Sequence, residues 1–438
     1  MRWILRSLHL LLEAIIAIVV VGGCVLRFDM HLTPPLEPGE QLVLPERVPD
    51  GDRAWRVGAD RLAQNDRGVW EAYVEGPDLE RGSTYGVLAR DLIERQEELF
   101  VDRIRLLVPD ETKLGWLRYG VAIFDRNIED HIPMEFRREI YGESRSFSDA
   151  FDFIAPKYDR ALNYHAAHDI GHALQDLAIV GCTSFAVWGD RTADGKLLVG
   201  RNFDFYMGED FACDKVVLFM RPEQGHPFAE ITWGGMMGAV SGMNLAGLTV
   251  TINAARSAIP FGARTPISLL AREILQYAST IDEAIAIAKE RDVFVSEAIL
   301  VSSAKDARAA VIEKAPDGMG VYDPDSGAVV CANHYQSKRF RDSAPNLENI
   351  KQSDSMGRYR RMWDLLNDHP RMGPTDAAEI LRDRMGPDGR PVGLANPMAI
   401  DQMIAHHSVV FRPEDGRMWL SVGPYQLGEY LCYDLPAI

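Results

Sequence analysis

At Gly181 the hydrophobic pattern of the chain changes period, and this change limits the possible folds more than any other feature of the sequence. Before it, Leu88, Leu92, Leu99, Ile104 and Leu107 recur at mostly helical intervals with charged residues between them, Pro109 sets a limit, and a second helical run covers residues 160–179. After it, short strand-like runs at 182–188 and 196–201 are separated by Gly189-Asp190-Arg191-Thr192-Ala193-Asp194-Gly195, which is rich in turn residues and reads as a hairpin. Further strand candidates lie at 215–220, 229–233, 248–253, 298–302, 309–313, 328–332, 407–411 and 418–422. Amphipathic helices at 267–277, 281–291, 356–366 and 375–384 occupy the middle of this part. Strands flanking a helical middle predict a layered α+β fold over 182–438, preceded by a mainly helical segment over 50–181.

With 47% apolar residues in 438, the chain can bury a sizeable core in each of two or three units. Its formal net charge of −17 and lack of Lys/Arg-rich runs exclude binding to nucleic acid through a broad basic face, which needs cations in excess at the phosphates.

The first residues differ from everything after them. Arg2 and Arg6 precede an apolar stretch that ends in Val21-Gly22-Gly23-Cys24, the pattern of an export signal. It resembles a bacterial lipoprotein signal with Cys24 as the lipidated residue. A retained anchor helix over 8–26 is the alternative, at the cost of Glu13 inside the span, and a cleaved soluble form is the third. Each places the remainder outside the cytoplasm, as an exported and membrane-anchored protein on the periplasmic side or surface of a bacterium. Residues 1–24 are therefore the signal or anchor, and 25–49, rich in Pro, Glu and Gly, a tether. The five cysteines (24, 182, 213, 331 and 432) permit too few bridges to hold a fold of this size and show no CxxC zinc spacing.

The chemistry begins at Gly181-Cys182-Thr183-Ser184-Phe185, followed by Gly200-Arg201-Asn202-Phe203-Asp204-Phe205. This pair resembles the opening of the cysteine N-terminal-nucleophile hydrolases, which include bile salt hydrolase, penicillin V acylase, acid ceramidase and the isopenicillin N acyltransferase type. Val74-Glu75-Gly76-Pro77 with Gly82 and Gly86 is similar to the glycine-spaced start of the acyltransferase branch. His406-His407-Ser408-Val409-Val410 through Trp419-Leu420-Ser421-Val422-Gly423 is similar to its closing strands, so the resemblance runs over about residues 70–438. It implies a four-layer αββα core with Cys182 as nucleophile, Arg201 and Asp204 beside its sulfur and amino group, and Asn253 in an oxyanion hole. Asn333 and Arg358 complete the implied set.

The chemical need for such a set is independent of the resemblance. A thiol of free pKa near 8.5 requires a base or a cation at neutral pH. Arg201 supplies the cation, and a freed α-amine on Cys182, of reference pKa about 7.7–8.0, would be the base. That amine exists only after the Gly181–Cys182 peptide is cut. The expected agent is the Cys182 thiol itself, with Gly181 permitting a strained turn and close approach. The expected reaction is cleavage of a linear N-acyl amide through an acyl-Cys182 thioester, with no cofactor and a small-molecule substrate. An acyltransferase passing the acyl group to an amine is the runner-up. Long-chain amides, β-lactam side chains, bile-type conjugates and acyl-homoserine lactones all suit this chemistry, and the sequence does not set the oligomeric state.

Two readings from other classes stand beside this one. His165, His168, Asp169 and His172 share one helix face and would make the chain a metal-dependent hydrolase, although one helix supplies no closed coordination sphere. A surface lipoprotein with an inert fold is the other. Trp233-Gly234-Gly235-Met236-Met237 reads as core or a tight turn, or as the lining of an acyl pocket.

Overall fold

The computed structural model describes residues 32–110, 112–113, 127–166, 181–205, 207–208, 210–257, 263–423 and 425–437. Among them, strands β1 (Val48–Pro49), β2 (Ala54–Val57), β3 (Asp60–Gln64) and β4 (Trp70–Gly76) come first. Helices α1 (Asp78–Leu107), α2 (Met134–Ser144) and α3 (Lys157–His165) follow. Next are β5 (Thr183–Gly189), β6 (Gly195–Asp204), β7 (Val216–Pro222), β8 (Phe228–Thr232), β9 (Ser241–Asn244) and β10 (Leu248–Ala254). The amphipathic helices α4 (Ile267–Tyr277) and α5 (Ile281–Glu290) lead to β11 (Glu297–Ser303), β12 (Arg308–Ala315), β13 (Gly318–Tyr322) and β14 (Ala328–Cys331). Helices α6 (Ala344–Gln352), α7 (Ser355–Asp368) and α8 (Pro374–Leu381) precede β15 (Ala405–Arg412), β16 (Arg417–Ser421) and β17 (Tyr430–Asp434).

The strands form two sheets. One has eleven strands in the order β1-β2-β3-β4-β7-β8-β9-β10-β11-β12-β13, and the other six, β14-β5-β6-β15-β16-β17. Because side chains alternate across a strand, each sheet offers two faces, and both are apolar. Val217, Ile231, Ala298, Leu300 and Val311 of the large sheet meet Ala186, Val199, Val409, Phe411 and Leu420 of the small one in a central core. The opposite face of the large sheet, with Leu218, Val250, Ile299 and Ile312, packs on α1, α2, α4 and α5. The small sheet packs Phe185, Val330 and Val410 on Met362, Leu366, Ile380 and Leu381 of α7 and α8. The order is helix, sheet, sheet, helix, the expected αββα sandwich.

Three expectations need correction. Residues 48–76 are strands, because the alternation in Trp70, Ala72 and Val74, each buried, has period two rather than 3.6. β4 lies inside the large sheet between β3 and β7, running parallel to β7 with Trp70 opposite Val216, so the segment before Gly181 builds part of the main sheet. The segment read as a tether is strapped down over residues 32–49: Leu36 and Leu42 pack on the core, and Arg138 pairs with Glu40 at 2.7 Å. Its Pro and Gly content suggests freedom, but its spaced leucines and two charge pairs, Glu40 with Arg138 and Arg47 with Asp91, hold it. The helical run read over 160–179 is described only as far as His165, and residues 167–180 lie outside the described residues.

Gly82 and Gly86 have a packing reason. A Cβ on Gly82 would stand 1.9 Å from the Glu139 carbonyl oxygen, and one on Gly86 2.6 Å from that of Glu143. The backbones of α1 and α2 therefore touch, and only glycine fits at the crossing.

Candidate active site

β5 and β6 form the predicted hairpin, with Thr183 opposite Asn202 and Ser184 opposite Arg201. Opposed residues share a face, so Ser184 and Arg201 point one way and Thr183 and Asn202 the other. The side-chain contacts agree. Arg201 reaches across the sandwich, donating from Nη1 to Asn253 Oδ1 at 2.8 Å, from Nη2 to the Ile252 carbonyl at 2.5 Å and from Nε to Ser241 Oγ at 3.2 Å. Asn202 turns to the helical layer and donates to the carbonyls of Leu381 and Ile400.

Cys182 stands at the head of β5, fully buried. Its Sγ donates to the Asp204 carbonyl oxygen at 3.7 Å, and the Gly181 N–H donates to that oxygen at 3.3 Å. Asn253 accepts from Ser184 Oγ at 3.1 Å as well as from Arg201, and its own amide donates to the Cys331 carbonyl at 3.2 Å. Asn333 donates to the Ala254 carbonyl and accepts from Arg358 Nη2 at 2.6 Å. Arg358 also donates from Nε to Thr183 Oγ1 at 3.2 Å and from Nη1 to the Pro397 carbonyl. Cys182 with Asp204, Arg201 with Asn253, and Asn333 with Arg358 thus make three buried hydrogen-bonded groups drawn from both sheets and from α7, and the charges of Arg201 and Arg358 act on both Cys182 and Asp204, which makes them one electrostatic network.

Gln402, Thr183, Ser184 and Ser241 join this network without having been singled out in the sequence. Gln402 Nε2 donates to the Gly181 carbonyl at 3.2 Å and to Asp204 Oδ2 at 3.1 Å. It sits in an irregular stretch before β15, where no periodicity or motif marks it. The close approach expected at Gly181 is present: a Cβ there would lie 2.6 Å from Gln402 Nε2, the end of a side chain that would have to move aside.

Burial dominates the electrostatics. It pushes the Cys182 thiol up to about 11, against the opposing pull of Arg201. It raises the Asp204 carboxyl to about 8, although Arg358 and Arg201 favour the anion. In the uncut chain the thiol is thus protonated, and Asp204 can exchange a proton near neutral pH. A stability measurement tests this. The folded Asp204 pKa lies above the unfolded value of about 3.9, so between about pH 4 and 8 the native state holds a proton that the unfolded state has lost. In a Cys182→Ala background, the stability of Asp204→Asn relative to Asp204 is expected to rise by about 1.4 kcal/mol per pH unit from pH 5 to 8, measured by urea unfolding. A gap independent of pH would mean that Asp204 is ionised throughout.

The helix cluster read as a metal alternative is met only at His165. Its Nδ1 hydrogen-bonds the Ala161 carbonyl at 2.7 Å and its Nε2 accepts from the Met237 N–H at 2.8 Å, so both ring nitrogens are occupied within the core. His168, Asp169 and His172 lie outside the described residues, as does Cys24. Trp233 is core, stacked with Phe203 and Phe205, and Gly235 turns the chain at φ +82°. Cys182, Cys331 and Cys432 are free thiols. Among the described residues no helix is long and apolar enough to cross a membrane.

Comparison with known proteins follows the same lines. An uncharacterized protein of Archaeoglobus fulgidus is 25% identical over 308 residues, which is 66% of this chain and 49% of that protein. The chain therefore spans about half the length of the curated relative it matches. Among solved structures, it is similar to the Caenorhabditis elegans ortholog of N-acylethanolamine-hydrolyzing acid amidase, at 18% identity and a TM-score of 0.39 over 53% of this chain and 93% of that one. It is also similar to conjugated bile acid hydrolase of Clostridium perfringens, at 13% identity and a TM-score of 0.39 over 57% and 96%. Penicillin V acylase of Agrobacterium tumefaciens is matched at 15% identity and a TM-score of 0.34 over 59% and 87%. The family description "Acyl-coenzyme A:6-aminopenicillanic acid acyl-transferase" matches residues 191–425, starting after Cys182 and including Arg201, Asp204, Asn253, Asn333 and Arg358. More than half of the sequence is covered, and the chain belongs to the acyl-coenzyme A:6-aminopenicillanic acid acyl-transferase family, within the cysteine N-terminal-nucleophile hydrolases.

Proposed function

We propose that this protein is a cysteine amidohydrolase that activates itself by cutting the Gly181–Cys182 peptide and then cleaves a linear N-acyl amide through an acyl-Cys182 thioester. The observation that carries the reading is the placement of the Cys182 thiol and the Gly181 N–H on one carbonyl, that of Asp204, with the Gly181 carbonyl itself held by Gln402. After cleavage the new α-amine would lie beside Asp204, poised to take the thiol proton and return it to the leaving amine. Arg201 holds Asn253, whose amide is the proposed donor to the acyl oxyanion. The same acyl-enzyme would pass its acyl group to an amine acceptor, as the family description's "acyl-transferase" suggests. The proposal includes export, with residues 1–24 as signal and Cys24 as the site of lipid attachment.

The segment before Gly181 is retained in this reading. β4 is an interior strand, and removing it would expose the edge of β7 and the apolar face under α1. Purified protein is expected to yield two chains on a denaturing gel, one beginning Cys-Thr-Ser, and in native mass spectrometry a single particle whose mass per copy is the sum of the two. A single uncut, active chain would refute the cleavage. Separate native particles would refute retention.

A further inference from the structure

We infer that the Gln402 side-chain amide is the oxyanion donor of the self-cleavage step, and that a side chain at residue 181 would displace it. This rests on the self-cleavage reading above. Gln402 is 3% exposed, and its Nε2 stands 3.2 Å from the Gly181 carbonyl oxygen and 3.1 Å from Asp204 Oδ2. One donor nitrogen with two hydrogens thus joins the carbonyl to be attacked and a carboxyl group at the site. The other Asp204 oxygen, Oδ1, is buried and has no hydrogen-bond partner among the described residues. It is free to carry a proton.

The step balances as follows. Cys182 Sγ adds to the Gly181 carbonyl carbon while its proton goes to the Asp204 carboxylate, and the carbonyl oxygen becomes an oxyanion facing Gln402 Nε2. The C–N bond then breaks, the Cys182 nitrogen takes the proton from Asp204, and Gly181 is left as a thioester on Sγ. Water adds to that thioester, the C–S bond breaks, the thiol takes one proton of the water, the other passes to the new amine or to solvent, and Gly181 ends as a carboxylate. Negative charge collects on the Gly181 carbonyl oxygen when sulfur adds and again when water adds, and that oxygen is the one Gln402 already holds. The donor is in place before the charge forms, so little reorganisation is needed.

The glycine at 181 supplies an independent handle. A Cβ at residue 181 would meet Gln402 Nε2 at 2.6 Å and Oε1 at 3.0 Å, so alanine must push the amide from the carbonyl. Loss of the amide and addition of the methyl therefore damage the same contact, and their effects should not multiply.

The test follows conversion of freshly synthesised full-length chain to its two pieces on a denaturing gel. Gln402→Met, close in shape but without a donor, is expected to slow conversion about 100-fold, the scale of losing one oxyanion donor. Gly181→Ala should slow it comparably, and the double variant should be no slower than Gln402→Met alone. Folding is checked by thermal melting, and should Gln402→Met not fold, Gln402→Asn, whose amide is drawn back by one methylene, is read in the same way. Conversion of a folded Gln402 variant at the native rate, or losses that multiply in the double variant, would overturn the assignment. If instead the native chain stays uncut, or Cys182→Ala is cut, the self-cleavage reading itself fails. The two failures are distinct.

Discussion

Cys182→Ala is expected to yield a chain uncut between residues 181 and 182, with no measurable amidase activity on a panel of chromogenic N-acyl amides. The same sulfur serves twice in the proposal, first on the peptide behind it and then on the substrate, so its loss removes both functions at once. Loss of a nucleophile in an assembled site costs on the order of 10⁶ in turnover. Thiol labelling adds a second readout. In the uncut chain burial holds the thiol near 11, and iodoacetamide should react slowly at pH 7.5. Cleavage would place an amine of reference pKa about 7.7–8.0 on the same residue, and labelling at Cys182 should accelerate as conversion proceeds. Cys213 and Cys432 are exposed and will react in both forms, so the label must be located by peptide mapping. An alanine variant that is still cut at Gly181, or that still hydrolyses any amide the native protein accepts, would end the proposal.

The second large effect concerns Arg272→Met, which should destabilise the protein by about 3–5 kcal/mol and loosen the grip on the N-terminal piece. Arg272 lies on α4, after the cleavage point, and Glu139 on α2, before it. Its Nη2 is 3.4 Å from Glu139 Oε2, and Arg81 Nε donates to Glu139 Oε1 at 3.0 Å. All three side chains are at most 1% exposed. Burial alone would raise the Glu139 pKa, but Arg272 and Arg81 outweigh it and hold the group below the usual carboxylate range. Arg272 further donates to the Met237 carbonyl at 2.7 Å and to Gln276 Oε1 at 2.9 Å. Methionine fills much of the volume but supplies none of these hydrogen bonds, leaving a half-paired buried carboxylate and an orphaned carbonyl. Urea unfolding of the cut protein should show the loss, with partial separation of the two pieces on gel filtration. Unchanged stability would mean that the ionic centre contributes nothing to holding the pieces together.

The fold was legible wherever local pattern and global packing agree. Helices α4 and α5 were predicted to within a residue, because amphipathic stripes such as Ile267, Leu270, Ile274 and Ala278 face one layer. Ten strands of the catalytic part were readable from short apolar runs between turn residues. β9, β13 and β17 have no counterpart among the expected strands: Ser241-Gly242-Met243-Asn244 and Gly318-Met319-Gly320-Val321-Tyr322 carry glycines that weaken strand propensity, Tyr430–Asp434 is a short strand at the sheet edge, and partner strands hold all three in place. The early strands at 48–76 were read as helix because a few residues of alternation weigh little beside the long helical pattern that follows.

By itself the sequence determined which candidate groups lie side by side. A cysteine heading one strand and Arg-Asn-Phe-Asp on the next are local facts, since a hairpin brings residues 181–184 beside 201–204 whatever surrounds it. Tertiary structure alone decided what stands opposite them. Arg201 meets Asn253 only because the two sheets stack, and Gln402 reaches Gly181 across 221 residues of sequence separation. Neither contact leaves a local signal, because periodicity records which face of an element is buried and carries no information about which distant side chain will be buried against it.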